Sequence, residues 1–353
     1  MRHSQDGTPL TPRFKRRTLI ACASAACLFR LSAARAENAM AWEAWSDRFV
    51  GPEGRVVDTG QGDISHSEGQ GYGLLLAQAS GDRARFDAIE DWSARNLATR
   101  QDSLMAWRWE PDGRGVVDWR TATDGDLFRA WALLRAGRDS GWPGYLGTAE
   151  AIAHAVVDLC LTPDPRAPEE MLIKPSAEAY PDEERVLLNP SYIMPRALRE
   201  LGQAFGLTQL VRAADHGDAV LRELASMPFL PDWILVTGAG FEVSNEHGLR
   251  WGYDALRIPL YLIWSGYPAH AAVASALRLL RSTPVEGHIA TQTDATGRVI
   301  SQSDQLGYRA IERLAECELI VPDPDAMNSQ PYYPAVLHML ASVAFRESLC
   351  RSD

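Results

Sequence analysis

An all-α fold is the class that this sequence predicts, and three observations predict it. Apolar residues recur three and four positions apart along most of the chain, which is the spacing of one helix face. The alternation that marks a strand is confined to two short pieces, Arg55–Val57 and Trp233–Val236, which we expect to form short ribbons at a rim. Hydrophobic residues make up 46% of the 353 residues, which is ample for a large core.

Eleven helical runs follow one another along the chain, separated by loops rich in Gly, Pro, Asp and Ser. They are predicted at Met40–Val50, Gly69–Ser80, Arg83–Leu97, Asp124–Ala136, Thr148–Cys160, Tyr192–Phe205, Gln209–Ser226, Asp254–Trp264, His270–Ser282, Gly307–Ala315 and Tyr333–Arg351. No flexible linker divides them, so we predict one domain over residues 37–353. The pattern shows no fixed repeat, and it fits a toroid of helical hairpins, a bundle or a solenoid equally well.

The first 36 residues have the character of an export signal. Arg16 and Arg17 precede an apolar run, Thr18–Phe29, and Ala34–Ala36 resembles a small-residue cleavage site. The paired arginines also fit a twin-arginine signal. We therefore predict that the mature protein is secreted or periplasmic.

The charge balance excludes several classes of partner. Residues 1–36 carry seven basic residues and one acidic residue, so the remaining chain has 28 basic and 45 acidic residues and a formal charge of −17. Such a surface repels nucleic acid and anionic membranes, and it does not disfavour a neutral polysaccharide. No later run is apolar enough to span a bilayer. We predict no nucleic-acid binding and no stable membrane insertion.

Cysteine and histidine spacing predicts neither a metal site nor a cofactor. Cys160, Cys317 and Cys350 remain after the signal, which allows at most one disulfide and gives no Cys-x-x-Cys pair. The histidines are scattered, with no His-x-x-x-His pair.

Three short motifs place carboxylates at the start of helical runs. Ser67–Gly73 contains Glu68, Ala122–Asp126 contains Asp124 and Asp126, and Tyr253–Arg257 contains Asp254. Carboxylates that cooperate across a sugar ring are the recurring requirement of glycoside hydrolysis, in which one acts as acid and another as base or nucleophile.

Each carboxylate taken singly also has a structural explanation. Ser65 and Glu68 have the spacing of a capping box, as do Thr123 and Asp126, and Asp254 could be an N-cap. Three glycines near Glu68 nevertheless cost a helix about 1 kcal/mol each relative to alanine. They need a reason, such as close approach of a ligand or a neighbouring helix, and Gly125 would similarly leave backbone open to a substrate.

Taken together, the motifs resemble those of glycoside hydrolase family 8. Ala122–Asp126, followed by Ala130, Ala136 and Trp142, resembles the signature of that family, with Arg129 and Trp131 as minor departures. Ser67–Gly73 resembles its acid motif and Tyr253–Arg257 its base motif, while Asn189–Tyr192 and Pro231–Trp233 resemble two further segments. The resemblance runs in the right order from about Trp42 to at least Trp264.

This resemblance implies an (α/α)6 barrel, six inner helices ringed by six outer ones, and inverting hydrolysis of β-1,4 glucan by an endo-acting cellulase. Glu68 would be the proton donor, Asp254 the base that activates water, and Asp124 the residue that binds the sugar at the cleavage subsite. Tyr192 would hold the water, Arg257 would orient Asp254, and Asp126 is counted with the substrate-binding residues. Since a helix N-terminus lowers the pKa of a carboxyl, burial or Asp124 must raise that of Glu68 for it to hold its proton.

Aromatic residues beside the motifs are candidates for stacking on sugar rings. Trp107 is the first candidate, with Trp109 and Trp251 after it, and His66 is expected to be structural. Four other tryptophans lie in helical runs and are expected in the core: Trp42, Trp45, Trp131 and Trp142.

Other functions remain open from the sequence alone. The nearest alternative is a chitosanase or xylanase of the same family. A cationic chitosan would suit the acidic surface, although the Tyr253–Ala255 motif favours the glucan-cleaving branch. A non-catalytic glycan-binding toroid is a third possibility, against which the intact carboxylates argue. An isomerase or lyase on the same barrel would normally need histidines or arginines clustered in the cleft, and the sequence shows no such cluster. The resemblance makes a role beside a cellulose synthase complex an expectation, with endo action on soluble glucan as its alternative.

Overall fold

The computed structural model describes residues 1, 37–179, 184–318 and 320–350. The predicted export signal therefore lies outside the described residues, apart from Met1. Twelve helices are described, of which the first, α1, covers residues 37–49. The others are α2 (Ser67–Ser80), α3 (Arg83–Asn96), α4 (Thr123–Arg138), α5 (Leu146–Cys160), α6 (Pro195–Phe205), α7 (Thr208–Leu224), α8 (Ile258–Trp264), α9 (Ala271–Leu280), α10 (Leu306–Ala315), α11 (Pro324–Ser329) and α12 (Tyr332–Glu347).

The even-numbered helices form an inner ring. Each contacts the next even-numbered helix, and α12 packs against α2, which closes the ring. The inner helices α4, α8 and α12 are buried on nearly every side, whereas an outer helix such as α7 buries one apolar stripe. The all-α prediction is confirmed, and the closed ring selects the (α/α)6 toroid over a bundle or a solenoid.

Four small antiparallel sheets lie in the connections that lead from outer helices into the N-termini of inner ones. Their strands are β1 (Ser65–His66), β2 (Arg108–Glu110), β3 (Gly115–Asp118), β4 (Leu161–Asp164), β5 (Ala167–Ile173), β6 (Arg185–Leu188), β7 (Ile234–Thr237), β8 (Gly240–Glu242), β9 (Ile289–Thr293) and β10 (Val299–Ser303). Connections at the other end can be very short, as where left-handed Gly81 and Gly206 end α2 and α6. The small sheets thus lie at the end of the barrel formed by the N-termini of the inner helices, and the connections at the other end can be short.

Two glycines let α2 and α4 approach closely at their N-termini. A Cβ added to Gly71 would lie 2.7 Å from Cβ of Phe128, and one added to Gly125 would lie 2.4 Å from Oγ of Ser67. Gly125 is therefore covered by the neighbouring helix and does not present open backbone to a substrate. The glycines cost helix propensity, and in return they bring Glu68 and Asp124 side by side.

Several local predictions were wrong. The capping box at Ser65 does not form, because α2 begins at Ser67 and the Nδ1 atom of His66 accepts the N–H of Gly69 at 3.0 Å. Tyr192 lies in a 3₁₀ turn (Pro190–Tyr192), and Asp254 precedes another (Ala255–Arg257) with no side-chain cap hydrogen bond. Helix α11 and the β4–β5 and β9–β10 hairpins were not predicted, since short elements carry little periodic signal.

A second charged cluster lies near the C-terminal ends of α4, α8 and α12, and two of its members, Arg196 and Glu200, come from α6. We call it the basal cluster: Arg135, Arg138, Arg196, Glu200 and Glu347. Glu347 also accepts the indole N–H of Trp264 at 2.9 Å, and Glu200 accepts that of Trp131 at 2.9 Å. It lies about 16 Å along α4 from Asp124, at 1.5 Å per residue.

Cys317 and Cys350 form a disulfide, and Cys160 is a buried free thiol. Among residues 37–179, 184–318 and 320–350, no helix is both long and apolar enough to cross a membrane.

Candidate active site

A cleft of about 600 Å³ opens at the N-terminal ends of the inner helices. Glu68 comes from the first turn of α2, Asp124 from the first turn of α4, and Asp254 from the turn before α8. The fold therefore brings together three carboxylates that are up to 186 positions apart in the sequence, because each begins an element of the same ring.

Arg257 is the hub of these carboxylates. Its Nη1 atom contacts Oε2 of Glu68 directly and lies 3.4 Å from Oδ2 of Asp124. Its Nη2 atom donates to Oδ1 of Asp254 at 2.8 Å and to Oγ of Ser191 at 2.9 Å. Arg257 was expected to orient Asp254 alone, and in the structure one guanidinium bridges all three. We call Glu68, Asp124, Asp254 and Arg257 the carboxylate cluster.

Three negative groups and one cation in a buried site cannot all remain charged at low cost. Burial and the charge of Glu68 raise the pKa of Asp124 well above its ordinary value. Burial also opposes ionisation of Glu68. Three other interactions outweigh it and hold the pKa of Glu68 below the ordinary value: the charge of Arg257, a hydrogen bond with Asp124, and the charge of His66. Of this pair, Asp124 therefore holds a proton more readily than Glu68 does. This order is the reverse of the expected one, because Arg257 reaches Glu68 as well as Asp254.

Asp254 has a defined partner at each oxygen. Arg257 binds Oδ1, and the indole N–H of Trp233 donates to Oδ2 at 3.1 Å. Tyr192 lies beside this pair, with its ring centroid 6.3 Å from that of Trp233. Burial and the charges of Asp124 and Asp254 raise the pKa of Tyr192 well above its ordinary value, so its hydroxyl stays protonated and can donate.

His66 lines the cleft as well as capping α2. Because its Nδ1 atom accepts from Gly69, its Nε2 atom carries the hydrogen and faces Oδ2 of Asp58 at 3.4 Å. This agrees with the prediction that His66 is structural, and it also places a polar ring two residues from Glu68.

The aromatic candidates divide into two groups. Trp107 is half-buried and its carbonyl accepts the N–H of Ser67, so it lies beside the helix turn that carries Glu68. Trp109 is half-buried and packs its edge against Trp92 at 5.4 Å. Trp251 is fully buried, so the prediction that it is a stacking platform was wrong. Trp42, Trp45 and Trp131 lie in the core as expected, and Trp142 packs on its edge.

Asp126 is not brought to the cleft with the other carboxylates. Its side chain is fully buried, and its Oδ1 atom accepts the N–H of Met105 at 2.8 Å. Burial raises its pKa to about 8. The contact supports the segment that leads to Trp107, two residues further on.

The structure adds residues that sequence reasoning did not place in the site. Tyr253, Tyr308 and Tyr333 stack and tilt against one another along one wall, and Tyr333 donates its hydroxyl to the carbonyl of Tyr253 at 2.6 Å. Tyr333 begins a predicted helical run, and the run carries no signal that this side chain faces the cleft. Trp233 stood in a recognised segment, but only the fold shows that its N–H meets Asp254.

The site can supply both halves of an acid–base reaction. Glu68 and Asp254 contact different nitrogens of one guanidinium, which keeps the two carboxyl groups apart. An inverting acid and base stand about 6.5–9.5 Å apart, with room for a water between them. Asp124 lies against Glu68, where it can exchange a proton with it or bind a hydroxyl group.

Comparison with known proteins agrees with this chemistry. The model of the family described as glycosyl hydrolases family 8 matches residues 14–344. A probable endoglucanase from Novacetimonas hansenii is 33% identical over 318 residues, which cover 88% of this chain and 91% of that protein. A family 8 endo-β-1,4-glucanase from an Achatina fulica gut metagenomic library superposes with a TM-score of 0.79 at 32% identity, covering 87% and 97% of the two chains. An endo-β-1,4-glucanase from Acetobacter xylinum gives 0.76 at 30% identity, covering 88% and 99%.

Proposed function

The chain belongs to family 8 of the glycosyl hydrolases, and from that membership we propose that it is an endo-acting β-1,4-glucanase that cleaves with inversion. The observation that carries the proposal is the carboxylate cluster at the floor of the cleft. Relatives of about 30% identity over most of the chain are named endoglucanases or endo-β-1,4-glucanases, which supports the same substrate class.

In the proposed reaction, Glu68 donates a proton to the glycosidic oxygen as the bond from that oxygen to the anomeric carbon breaks. Asp254 accepts a proton from a water molecule that attacks the anomeric carbon from the opposite face. Tyr192, whose phenol stays protonated, donates a hydrogen bond to that water. At the end Asp254 holds a proton and Glu68 has lost one, so exchange with solvent restores the starting state.

Substrate binding must first move the proton from Asp124 to Glu68. The hydrogen bond between these two carboxyl groups offers the path. A glycosidic oxygen that enters beside Glu68 favours its protonated form, because the protonated form can donate to that oxygen. Asp124 is then ionised and accepts hydrogen bonds from sugar hydroxyls at the cleavage subsite. In this proposal Arg257 keeps its hold on Asp254 while its contact with Glu68 is replaced by substrate.

The test is reducing-end release from carboxymethylcellulose, chitosan and xylan by the purified enzyme, with Glu68→Gln beside it. We expect release from the cellulose derivative, abolished in the variant, and a falling viscosity that indicates internal cleavage. Nuclear magnetic resonance of the first products from a cello-oligosaccharide should show the inverted α-anomer. Cleavage of chitosan or xylan in place of cellulose would overturn the substrate, and a β-anomer would overturn the mechanism.

We also propose that the protein is exported and works in the periplasm or the medium. The signal-like residues 1–36 support export, and the Cys317–Cys350 disulfide suits an oxidising compartment. Cell fractionation with an N-terminal sequence of the mature chain tests this proposal. Recovery only of the uncleaved chain from the cytoplasm would contradict it.

A finer proposal, resting on the family resemblance, is that the enzyme trims nascent glucan beside a cellulose synthase complex. Deleting its gene in the source cell and measuring the cellulose made is the test. Unchanged cellulose yield and crystallinity would leave degradation of external glucan as the role.

A further inference from the structure

We infer that the dipeptide Asp232–Trp233 is a positioning unit for the base, in which Trp233 holds the carboxylate of Asp254 and Asp232 holds the backbone around it. The inference rests on the proposed function of Asp254. It concerns two residues that precede β7 and lie outside the motifs of the carboxylate cluster.

Trp233 acts on the side chain of Asp254. Its indole N–H donates to Oδ2 at 3.1 Å, opposite the guanidinium that occupies Oδ1. The indole is itself held in plane, because the ring of His247 stacks on it at 4.4 Å with an interplanar angle of 14°. A neutral donor at Oδ2 favours the charged carboxylate and fixes its rotation, which decides where the remaining lone pairs point.

Asp232 acts on the backbone. Its Oδ1 atom accepts the N–H of Gly252 at 2.8 Å and that of Ala255 at 2.9 Å, on either side of Asp254. A Cβ at Gly252 would lie 2.6 Å from Oδ2 of Asp232, so the contact requires glycine there. Asp232 is buried, and Arg250 approaches it at 3.4 Å.

The two members differ in how they affect the charge of Asp254. The indole N–H stabilises the carboxylate at any pH, whereas Asp232 opposes it only where Asp232 is itself ionised. Burial and the charge of Asp254 raise the pKa of Asp232 to about 6, which is the same repulsion seen from the other side. The other charged or titratable groups that act on Asp254 or on the ring of Trp233 come from several elements: Glu68, Asp124, Tyr192, His247, Arg257 and Tyr333.

The test compares three single variants of the full chain. Trp233→Phe keeps the ring and removes the N–H. Asp232→Asn keeps an oxygen for the two backbone donors and removes the charge. Trp42→Phe is the matched control, because its indole N–H also donates to a carboxylate, Asp82, at 2.9 Å, far from the cleft.

We expect Trp233→Phe to lower kcat about tenfold with little change in KM, since it removes a hydrogen bond to a charged group. The acidic limb of its kcat/KM profile should move to higher pH by about one unit. Asp232→Asn should leave that limb close to wild type, because Asp232 is itself protonated below about pH 6, and Trp42→Phe should also leave it unchanged. Equal profiles for Trp233→Phe and Trp42→Phe, or a limb that moves as far in Asp232→Asn as in Trp233→Phe, would overturn the inference.

A readout that needs no turnover separates this inference from the proposed function. The ¹³C carboxyl signal of Asp254, assigned with Asp254→Asn, can be titrated in each variant. A midpoint that moves to higher pH in Trp233→Phe and stays in place in Asp232→Asn would support the positioning unit even if the wild type cleaved none of the three polysaccharides. A midpoint that does not move in Trp233→Phe would refute it even in an active enzyme.

Discussion

The two charged clusters along α4 use the same chemical groups to different ends. In the carboxylate cluster, three acids share one guanidinium. In the basal cluster, the guanidinium groups of Arg135, Arg138 and Arg196 face Glu200 and Glu347, with Asp139 beside Arg138. The basal acids are matched and stay ionised, whereas the acids in the cleft outnumber their cation and must share a proton.

The pKa values follow this difference. Burial opposes ionisation at both places, but hydrogen bonds from Arg135 and from Trp264 hold the pKa of Glu347 below its ordinary value. Arg196, Trp131 and Arg138 do the same for Glu200. In the cleft, burial prevails at Asp124. In the basal cluster, matched charges thus form ion pairs that hold helices together. In the carboxylate cluster, the acids outnumber the cation, so one carboxyl group can release and accept a proton.

The largest effect should come from Glu68→Gln. The amide keeps the shape and cannot donate a proton, so we expect hydrolysis to fall by about 10²–10⁴-fold. Glucan binding, measured by affinity electrophoresis, and the melting temperature should stay close to wild type. An active variant would contradict the role of Glu68 as proton donor. The carboxylate cluster would then differ from the basal cluster only in its number of charges.

The reverse experiment is Glu347→Gln, which removes a charged carboxylate from the basal cluster. Loss of a carboxylate bound by Arg135, Arg196 and Trp264 should lower the free energy of unfolding by about 2–3 kcal/mol, measured by urea denaturation. The activity of the folded enzyme should be nearly unchanged.

Asp139→Asn is the control for that experiment, because the side chain of Asp139 is 41% exposed in its pair with Arg138. An exposed pair contributes about 0–1 kcal/mol. If Asp139→Asn lowered the free energy of unfolding as much as Glu347→Gln, the buried ion pairs of the basal cluster would not be a particular source of stability.

A smaller effect should distinguish the clusters by pH. Asp124 has a raised folded-state pKa, so the folded protein binds more protons than the unfolded chain above about pH 4, and stability falls as pH rises. Asp124→Asn removes that fall, so its melting temperature should exceed that of wild type by more at pH 8 than at pH 5. Glu347 has a lowered pKa, so its contribution is present above about pH 4.5 and is lost as pH falls through the folded value.

The deficit of Glu347→Gln relative to wild type should accordingly shrink on acidification. Scanning calorimetry of both variants from about pH 2 to pH 8 measures the two slopes. Slopes of the same sign would contradict the assignment of a proton to the carboxylate cluster.

The helices were predictable because their apolar spacing is local information. Glu68, Asp124 and Asp254 were found because each begins a helical run within a motif that resembles a family. The contact of Arg257 with Glu68 joins residues 189 positions apart, and that of Trp233 with Asp254 spans 21 positions. No periodicity encodes such contacts, and the lowered pKa of Glu68 depends on the first of them.

The other wrong predictions concern side chains that are buried in the folded protein. Trp251 lies next to the base motif in sequence, yet its side chain is fully buried. Asp126 has the spacing of a site residue, yet its side chain serves the backbone of Met105. Whether a motif residue points into a cleft or away from it is decided by the packing of the neighbouring helices.

The disulfide between Cys317 and Cys350 gives the cleft a dependence on redox conditions and time. Helix α12 joins the two places, because Tyr333 at its start holds Tyr253 beside the base and Cys350 follows its end. Local opening of α12 would break the ring where this helix packs against α2. We expect reduction to shorten the half-life of activity at elevated temperature while leaving the initial rate unchanged, so the bond governs how long the enzyme lasts.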